Sequence, residues 1–286
     1  MREPKVSVIM MTYQHEKSIK KAIEGVLMQK TNFPVELIIA DDASPDDTQK
    51  IVNQIIKENN TAHIIKYTKH QQNKGIHQNF FWAYRQTKGK YIALCEGDDF
   101  WTDKNKLQKQ VDFLEQHPEY ILCGTDVTRV ATATGQVQPR LNKKFGDITL
   151  DDILYRNQMT TCTVVFKKID FNTQLISNFD RFTVGDLPLW CSLLRYGKGY
   201  NMKDVTAQYN IHQGGMVSGR SLNNTLFSKL NDRLLLLEEF PGKKQLIKKH
   251  GNRIILHYIK NALLLKKAYI SSLWQHKSLI LKYLLK

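Results

Sequence analysis

The chain has 286 residues, 42% hydrophobic and 24% charged, which is typical of a folded protein with a substantial core. No stretch reaches about 18 consecutive apolar residues, so the sequence predicts no membrane-spanning helix. The opening residues, MREPKVSVIMMTYQ, match neither a signal peptide nor an anchor. The formal net charge is +15, and thirteen basic but only three acidic residues lie from residue 221 onward. This basic segment indicates an anionic partner, either a phosphate-rich membrane face or nucleic acid.

The four cysteines are scattered along the chain and form no C-x-x-C pair: Cys95, Cys123, Cys162 and Cys191. With no export signal in the sequence, we expect reduced, mostly buried thiols in a cytoplasmic protein. The cysteines and histidines also lack the spacing of a zinc site.

The first hundred residues alternate between predicted strands and predicted helices. The strands are expected over 5–13, 35–42, 63–69 and 90–96, and helical periodicity fills the segments between them. Ser44 is the predicted N-cap of the second helix, with Pro45 at its first position. This alternation predicts a parallel, doubly wound α/β sheet with helices on both faces.

After residue 99 the pattern is less regular. An amphipathic helix is expected over 106–118 and strands over 120–130 and 160–168, while Asp186 lies at a turn just before another helix. From Leu222 onward the chain is predicted to be helical, with leucines and isoleucines at helical spacing.

Polar residues follow the ends of three predicted strands: Thr12 and Tyr13, Asp41 and Asp42, and Asp98 and Asp99. Ligands of open α/β sheets bind at this edge, outside the carboxyl ends of the strands. Hard cations such as Mg²⁺ or Mn²⁺ prefer oxygen ligands, so the 98–99 pair is a candidate cation site. The alternatives are a solvated turn for that pair and favourable charge at a helix N-terminus for the 41–42 pair.

A set of ordered motifs carries a family resemblance: VSVIMMTYQHE, VELIIADDASPDDT, NKGIHQN, GKYIALCEGDDFW, VGDLPLW and YNIHQGGMVSG. Spread over roughly residues 5–218, they resemble the family 2 glycosyltransferases, whose fold is of the GT-A type. The resemblance implies a nucleotide-sugar-binding half over 1–120, an acceptor-binding and catalytic-base half over 121–220, and a basic helical extension over 221–286.

The resemblance also implies which residues contact the sugar-nucleotide donor. The nucleoside base would be cupped by Met11, Thr12, Tyr13 and Glu16, and Asp42 would accept a hydrogen bond from it. In the D-x-D-like turn, here E-G-D-D, Asp98 would face the sugar nucleotide and Asp99 the Mn²⁺ or Mg²⁺ ion. Lys74 and Asn79 lie where a donor-contacting segment would run; ordinary loop and helix surface is the alternative.

Asp186 is the general base that the resemblance implies, although Gly185 stands where the family often has Glu. A carboxylate at this place would take a proton from the acceptor hydroxyl; a helix N-cap is a compatible alternative. His212 begins a glycine-bearing loop and would be a metal ligand or phosphate contact, with a purely structural histidine as the alternative.

Together these features predict a metal-dependent, inverting glycosyltransferase of bacterial surface polysaccharide assembly. It would use a nucleoside diphosphate sugar, preferably UDP-linked, and a carbohydrate or lipid-linked acceptor. A sugar nucleotidyltransferase would normally carry a glycine-rich basic loop, which MMTYQHEKS lacks. A non-enzymatic membrane or nucleic-acid module would not explain the strand-end carboxylates, and no nucleic-acid motif is present. The basic tail is either a solvated helical cap or a peripheral contact with the inner face of the cell membrane.

Overall fold

The structure is a computed structural model that describes residues 3–60, 62–139, 144–171, 177–215, 219–264 and 266–286. The chain divides into two compact units, each assembled from separate stretches of sequence. The first unit comprises Met1–Ile148, Gln158–Asp170 and Leu193–Asn210; the second comprises Thr149–Asn157, Phe171–Ser192 and Ile211–Lys286. The functional divisions expected at residues 120 and 220 stay predictions.

The first unit begins with the parallel half of its sheet. The strands are β1 (Val6–Thr12), β2 (Val35–Asp41), β3 (Ile65–Lys69) and β4 (Tyr91–Leu94). Helices α1 (Ile19–Leu27), α2 (Thr48–Glu58) and α3 (Ile76–Gln86) alternate with them. β1 pairs in parallel with both β2 and β4, and β2 pairs in parallel with β3. The expected parallel α/β arrangement is confirmed, and the apolar side chains of β1 are buried as far as Met10, as in a strand covered on both faces.

Antiparallel strands complete the sheet of the first unit. They are β5 (Phe100–Trp101), β6 (Tyr120–Ala131), β7 (Gln136–Gln138), β8 (Gly146–Ile148), β9 (Val165–Lys167) and β10 (Lys198–Ile211), with α4 (Lys106–Gln116) between β5 and β6. The strand order is β3-β2-β1-β4-β9-β6-β10-β5, with β7 beside β6 and β8 beside β10. β10 therefore lies beside β5, which directly follows the predicted cation-binding turn.

The second unit is helical over its described residues. Its helices are α5 (Leu150–Tyr155), α6 (Asp186–Leu193), α7 (Leu222–Glu239), α8 (Lys244–Leu263), α9 (Lys267–Gln275) and α10 (Lys277–Leu285). Leucines at helical spacing on α7 are buried, including Leu226, Leu230 and Leu234. The predicted C-terminal helical extension is confirmed. None of the described helices has the length and hydropathy needed to cross a membrane.

One local prediction was wrong, and one strand was missed. α2 begins at Thr48 with Asp47 as its N-cap, not with Ser44. The Ser44 hydroxyl instead accepts a hydrogen bond from the backbone N–H of Gln14 at 3.0 Å, which joins two loops. β10 was not predicted at all, because the charged pair Lys203–Asp204 interrupts its apolar pattern at an exposed stretch of the strand.

Candidate active site

The acidic turn, residues 96–99, is held against the end of β1. The backbone N–H of Gly97 donates to the carbonyl of Met11 at 3.0 Å. A Cβ atom at Gly97 would lie 2.7 Å from His15 Nδ1 and 2.9 Å from Thr12 Oγ1. Any side chain at this position would therefore push the turn away from β1, so glycine is required by close packing.

Asp99 joins the acidic turn to β10. Its Oδ1 atom accepts the backbone N–H of Asn210 at 2.8 Å, and the Asn210 side-chain amide donates to the carbonyl of Asp98 at 2.5 Å. Burial raises the pKa of Asp99 well above its usual range, and the neighbouring Asp98 and Glu96 raise it further. The hydrogen bond from Asn210 opposes this shift. The turn thus brings three acidic groups together in a poorly solvated place, which disfavours their ionised forms unless a cation is bound.

The donor atoms at this turn suit a hard divalent cation. Carboxylate oxygens of Glu96 and Asp99 and the Sγ atom of Cys162 all lie within 4.8 Å of one another. Burial raises the pKa of the Cys162 thiol, and Asp99 raises it further, so the thiol stays protonated and is a poor ligand. The carboxylates, by contrast, are the ligands that Mg²⁺ and Mn²⁺ prefer, and a cation would relieve their mutual repulsion. Thr12 Oγ1 is buried nearby and has no hydrogen-bond partner within the described ranges.

Asp42 organises a second loop at the same edge of the sheet. Its backbone N–H donates to the carbonyl of Thr12 at 2.9 Å, which continues the pairing of β1 and β2. Its carboxylate accepts the backbone N–H groups of Lys74 at 2.7 Å and Gly75 at 3.0 Å. Gly75 has φ +78°, a left-handed conformation that favours glycine. Asp42 therefore positions the loop that exposes the Lys74 side chain.

Tyr13 extends from a loop whose backbone is fixed. Its side chain is 43% exposed, whereas Gln14 next to it has φ +59° and is held by the Ser44 hydroxyl. The backbone N–H of Glu16 donates to Asp46 Oδ2 at 3.1 Å. An exposed aromatic ring on a rigid loop is suited to stacking against a planar ligand.

Asn79 has contacts of a different kind. It is buried, its side-chain N–H donates to the carbonyl of Ala40 at 3.0 Å, and its Oδ1 lies 2.9 Å from His70 Nε2. These bonds attach α3 to β2. They favour a structural role for Asn79, and its contact with the donor stays a prediction.

The structure adds three residues that the sequence reasoning did not single out. Asn210 and Cys162 contact Asp99, and His15 Nε2 lies 3.9 Å from Asp98 Oδ2. His15 and Asn210 fall inside two of the quoted motifs, so their positions were available as a signal. Cys162 gave no signal, because its proximity to Asp99 depends on strand pairing across the sheet.

Asp186 belongs to the second unit, where it is the first residue of α6. Asn157 Nδ2 donates to Asp186 Oδ2 at 2.7 Å, and Oδ1 accepts the N–H of Leu187 at 2.6 Å. Burial raises the pKa of Asp186 to about 6, with a smaller contribution from the charge of Asp232. The bonds from Leu187 and Asn157 and the charge of Arg220 oppose this rise. Asp186 is the first residue of the helix and not the residue before it, so Asp186 is not the N-cap.

His212 also belongs to the second unit, immediately after β10. Its carbonyl accepts the N–H of Gly215 at 3.1 Å in a tight turn. Residues 216–218, the remainder of the predicted donor loop, lie outside the described residues. A metal or phosphate contact by His212 stays a prediction.

A half-parallel sheet with carboxylates at its ligand-binding edge and helices after it defines a GT-A type fold. The sequence model of glycosyl transferase family 2 matches residues 7–171, which is more than half of the chain. The chain therefore belongs to glycosyl transferase family 2, and the family resemblance inferred from the motifs is confirmed.

Curated relatives and solved structures agree with this assignment. An uncharacterized protein of Mycobacterium tuberculosis is 39% identical over 218 residues, covering 74% of this chain and 60% of that protein. The match thus spans less than two thirds of that relative's length. The Escherichia coli protein WfaP, a UDP-Glc:alpha-D-GlcNAc-diphosphoundecaprenol beta-1,3-glucosyltransferase, is 26% identical over 221 residues, 75% of this chain and 80% of WfaP.

Two solved structures share the fold. Staphylococcus aureus TarS in complex with UDP-GlcNAc has a TM-score of 0.67 and 20% identity, covering 94% of this chain and 79% of that one. The mannosyltransferase PcManGT of Pyrobaculum calidifontis, with GDP-Man and Mn²⁺, has a TM-score of 0.63 and 13% identity, covering 97% and 76%. At these identities the likeness establishes the fold alone.

Proposed function

We propose that the chain is a metal-dependent, inverting glycosyltransferase. It transfers a sugar from a nucleoside diphosphate donor, preferably UDP-linked, to a hydroxyl of a carbohydrate or lipid-linked acceptor. The setting is bacterial surface polysaccharide biosynthesis. WfaP, which by its name uses UDP-Glc and a lipid diphosphate acceptor, supports this choice of donor and acceptor.

The observation that carries the proposal is the acidic turn. Glu96, Asp98 and Asp99 gather three carboxylates in a sheltered turn, and Asn210 and the end of β1 hold the turn in place. Burying several carboxylates together is costly unless a cation is bound, so such a cluster is expected at a metal site.

The donor's nucleoside would lie against the loops at the ends of β1 and β2. Met11 and Thr12 form the end of the strand, and the exposed ring of Tyr13 stacks on the base. Asp42 positions the loop that carries Lys74, so that the lysine side chain faces the donor's diphosphate. Glu16 joins the first loop to the second, since its Oε2 atom accepts the N–H of Asp47 at 3.2 Å.

Asp99 and Glu96 would hold the divalent ion, with Asp98 directed toward the sugar nucleotide and His212 as a further ligand. When bound, the ion would supply positive charge to neutralise the departing diphosphate. Asp99 is fixed by Asn210, so its carboxylate needs little rearrangement to bind.

Asp186 would be the general base, taking the proton from the acceptor hydroxyl as that oxygen attacks the anomeric carbon. With a pKa of about 6, Asp186 is largely ionised at neutral pH yet more basic than an ordinary aspartate. Asn157 orients its carboxylate by donating to Oδ2.

Peripheral attachment to the inner face of the cell membrane is the second part of the proposal. The last helices, α9 and α10, expose large apolar side chains, among them Trp274 (68%), Leu281 (57%) and Leu285 (86%). Lys277 and Lys282 lie on α10 with them. Exposed apolar residues combined with lysines are typical of helices that lie in the interface of an anionic membrane.

A donor panel tests the central proposal. Purified full-length chain is incubated with Mn²⁺ and UDP-, GDP- or dTDP-linked sugars, and release of the nucleoside diphosphate is measured. We expect release from UDP-sugars that stops when EDTA is added. No release from any donor, and no binding of any nucleotide, would overturn the proposal.

A further inference from the structure

A basic cluster, defined as Tyr155, Arg156, Lys229, Arg233, Lys249, His250 and Arg253, lies within the second unit. Its members come from the end of α5, from α7 and from α8. The proposed function gives none of these residues a role. Their arrangement needs an explanation of its own, because like charges that converge reduce stability.

Tyr155 is the centre of the cluster. Its hydroxyl accepts a hydrogen bond from Arg253 Nη1. The Tyr155 and His250 rings lie 5.7 Å apart between centroids, and Arg253 Cζ lies 5.9 Å from the Tyr155 ring centroid. Lys249 Nζ is 6.0 Å from the same centroid. The cationic side chains of α8 are thereby gathered over one aromatic ring.

Four positive charges act on His250. Burial, followed by the charges of Arg233, Lys229, Arg156 and Arg253, lowers its pKa to about 3. His250 is therefore neutral at physiological pH, and its buried Nδ1 atom has no hydrogen-bond partner in the described part of the chain. A neutral imidazole beside several cations can donate to an anion without adding to the repulsion.

Asp232, an acidic residue next to Arg233 in sequence, does not neutralise the cluster. Asp232 precedes Arg233, and its charge partly opposes the lowering of the Arg233 pKa by burial. The Asp232 carboxylate, however, accepts the backbone N–H of Thr183 at 2.9 Å. Arg233 itself is buried and donates to the carbonyl of Leu154. Excess positive charge remains around Tyr155, and guanidinium groups are well suited to pair with phosphate.

Two residues of the cluster are sequence neighbours of residues that act on the proposed base, Asp186. Arg156 is followed by Asn157, which donates to Asp186. Arg233 is preceded by Asp232, whose charge raises the pKa of Asp186. The cluster therefore belongs to the same unit as the proposed base, and two of its residues are sequence neighbours of groups that act on that base.

We propose that the basic cluster binds a phosphate group of the acceptor, as in a sugar joined to a lipid through phosphate. The inference rests on the proposed function, since it assumes that Asp186 deprotonates an acceptor. Arg156, Lys229 and Arg253 bind the phosphate oxygens, and Tyr155 and His250 line the site. The class of acceptor is thus narrowed from any carbohydrate to one that carries a phosphate.

Inorganic diphosphate in EDTA tests the site by calorimetry, because EDTA removes metal-dependent binding at the acidic turn. The full-length protein is compared with the double variant Arg156→Gln/Arg253→Gln and with Lys260→Gln, an exposed charge on the same helix. We expect the double variant to bind diphosphate about tenfold more weakly or worse, corresponding to about 1.4 kcal/mol. Lys260→Gln should bind like the unchanged protein.

Two controls keep this test decisive. A second double variant, Lys229→Gln/Lys249→Gln, removes exposed charges and should weaken binding even if Arg253, which bonds to Tyr155, is needed for folding. Binding of UDP with Mn²⁺ is measured on every protein and should not change. Equal diphosphate binding by all the proteins, or none by the unchanged protein, overturns the inference. If the unchanged protein did not bind UDP with Mn²⁺, that result would instead overturn the proposed function.

Vesicles distinguish an acceptor phosphate from a lipid headgroup. Sedimentation with phosphatidylglycerol vesicles is compared for the arginine double variant and for Trp274→Ser/Leu285→Ser. We expect the arginine variant to bind vesicles normally and the apolar variant to lose binding while keeping diphosphate. Loss of vesicle binding in the arginine variant alone would assign the cluster to a membrane headgroup and overturn the acceptor assignment.

Discussion

The two units of the chain differ in how they assemble charge. In the first unit, carboxylates follow the ends of parallel strands, so residues close in sequence, such as Asp98 and Asp99, act together. In the second unit, cations of α7 and α8 act on His250 together with Arg156, which lies well before α7 in the sequence. The acidic turn can therefore be located from the sequence, whereas the contacts that hold the turn and the convergence of the cations depend on the fold.

We expect the largest effect from removing the proposed base, because transfer should fall while donor binding remains. Replacing Asp186 with Asn keeps the size of the side chain but removes proton acceptance, so transfer should fall by roughly a hundredfold or more. UDP binding in Mn²⁺ should be unchanged. Turnover is measured with the best donor from the panel, and Asp180→Asn, an exposed carboxylate nearby in sequence, is the control. Normal turnover in Asp186→Asn would remove this residue from the mechanism.

Two glycine substitutions, one in each unit, compare how the units contribute to stability and to UDP binding. A Cβ at Gly97 would lie 2.7 Å from His15 Nδ1, whereas one at Gly251 would lie 2.0 Å from Tyr283 Oη. Each alanine variant should lose about 1–3 kcal/mol of stability through overpacking. Gly97→Ala should also lose UDP binding, and Gly251→Ala should keep it.

Thermal melting and UDP titration measure both outcomes. Gly242→Ala is the control, because no atom lies within 4 Å of a Cβ at that position. If Gly251→Ala impaired UDP binding as strongly as Gly97→Ala at equal stability, the assignment of donor binding to the first unit would be wrong.

The pH dependence should follow Asp186, whose pKa is raised from the ordinary 3.8 to about 6. Transfer requires the ionised carboxylate, so activity should fall about tenfold from pH 7 to pH 5. Stability has the opposite sign: the raised pKa favours folding below pH 3.8, and this contribution is lost as the pH rises through 6.

Melting temperatures check the sign. Asp186→Asn should melt above the unchanged protein at pH 8, and the difference should shrink toward pH 4. An unchanged difference across this range, or an activity profile without a limb near pH 6, would show that Asp186 is not perturbed as described.

The sequence predicted the parallel half of the sheet because buried strands such as β1 are continuous apolar runs. It also located the acidic turn, since Asp98 and Asp99 end such a run. It missed β10, and with it the bond from Asn210 to Asp99, because Lys203 and Asp204 break the apolar pattern. The N-cap at Ser44 was wrong because Ser44 bonds across to Gln14, a contact that no local rule contains.

The basic cluster was beyond sequence reasoning for a different reason. The excess of lysine and arginine after residue 221 was evident, but which cations converge depends on helix packing. Tyr155 and Arg156 precede that segment by more than sixty residues. Charge composition indicated an anionic partner without indicating where it binds.

The most direct test of the account is binding of UDP in the presence of Mn²⁺, measured by calorimetry. The unchanged protein should bind UDP only when Mn²⁺ is present. The control variant Glu24→Gln, which replaces an exposed carboxylate on α1, should behave in the same way. Asp99→Asn should lose this metal-dependent binding while keeping its fold. Equal binding by all three proteins, or no effect of Mn²⁺ on the unchanged protein, would contradict the assignment of the acidic turn as the metal and sugar-nucleotide site.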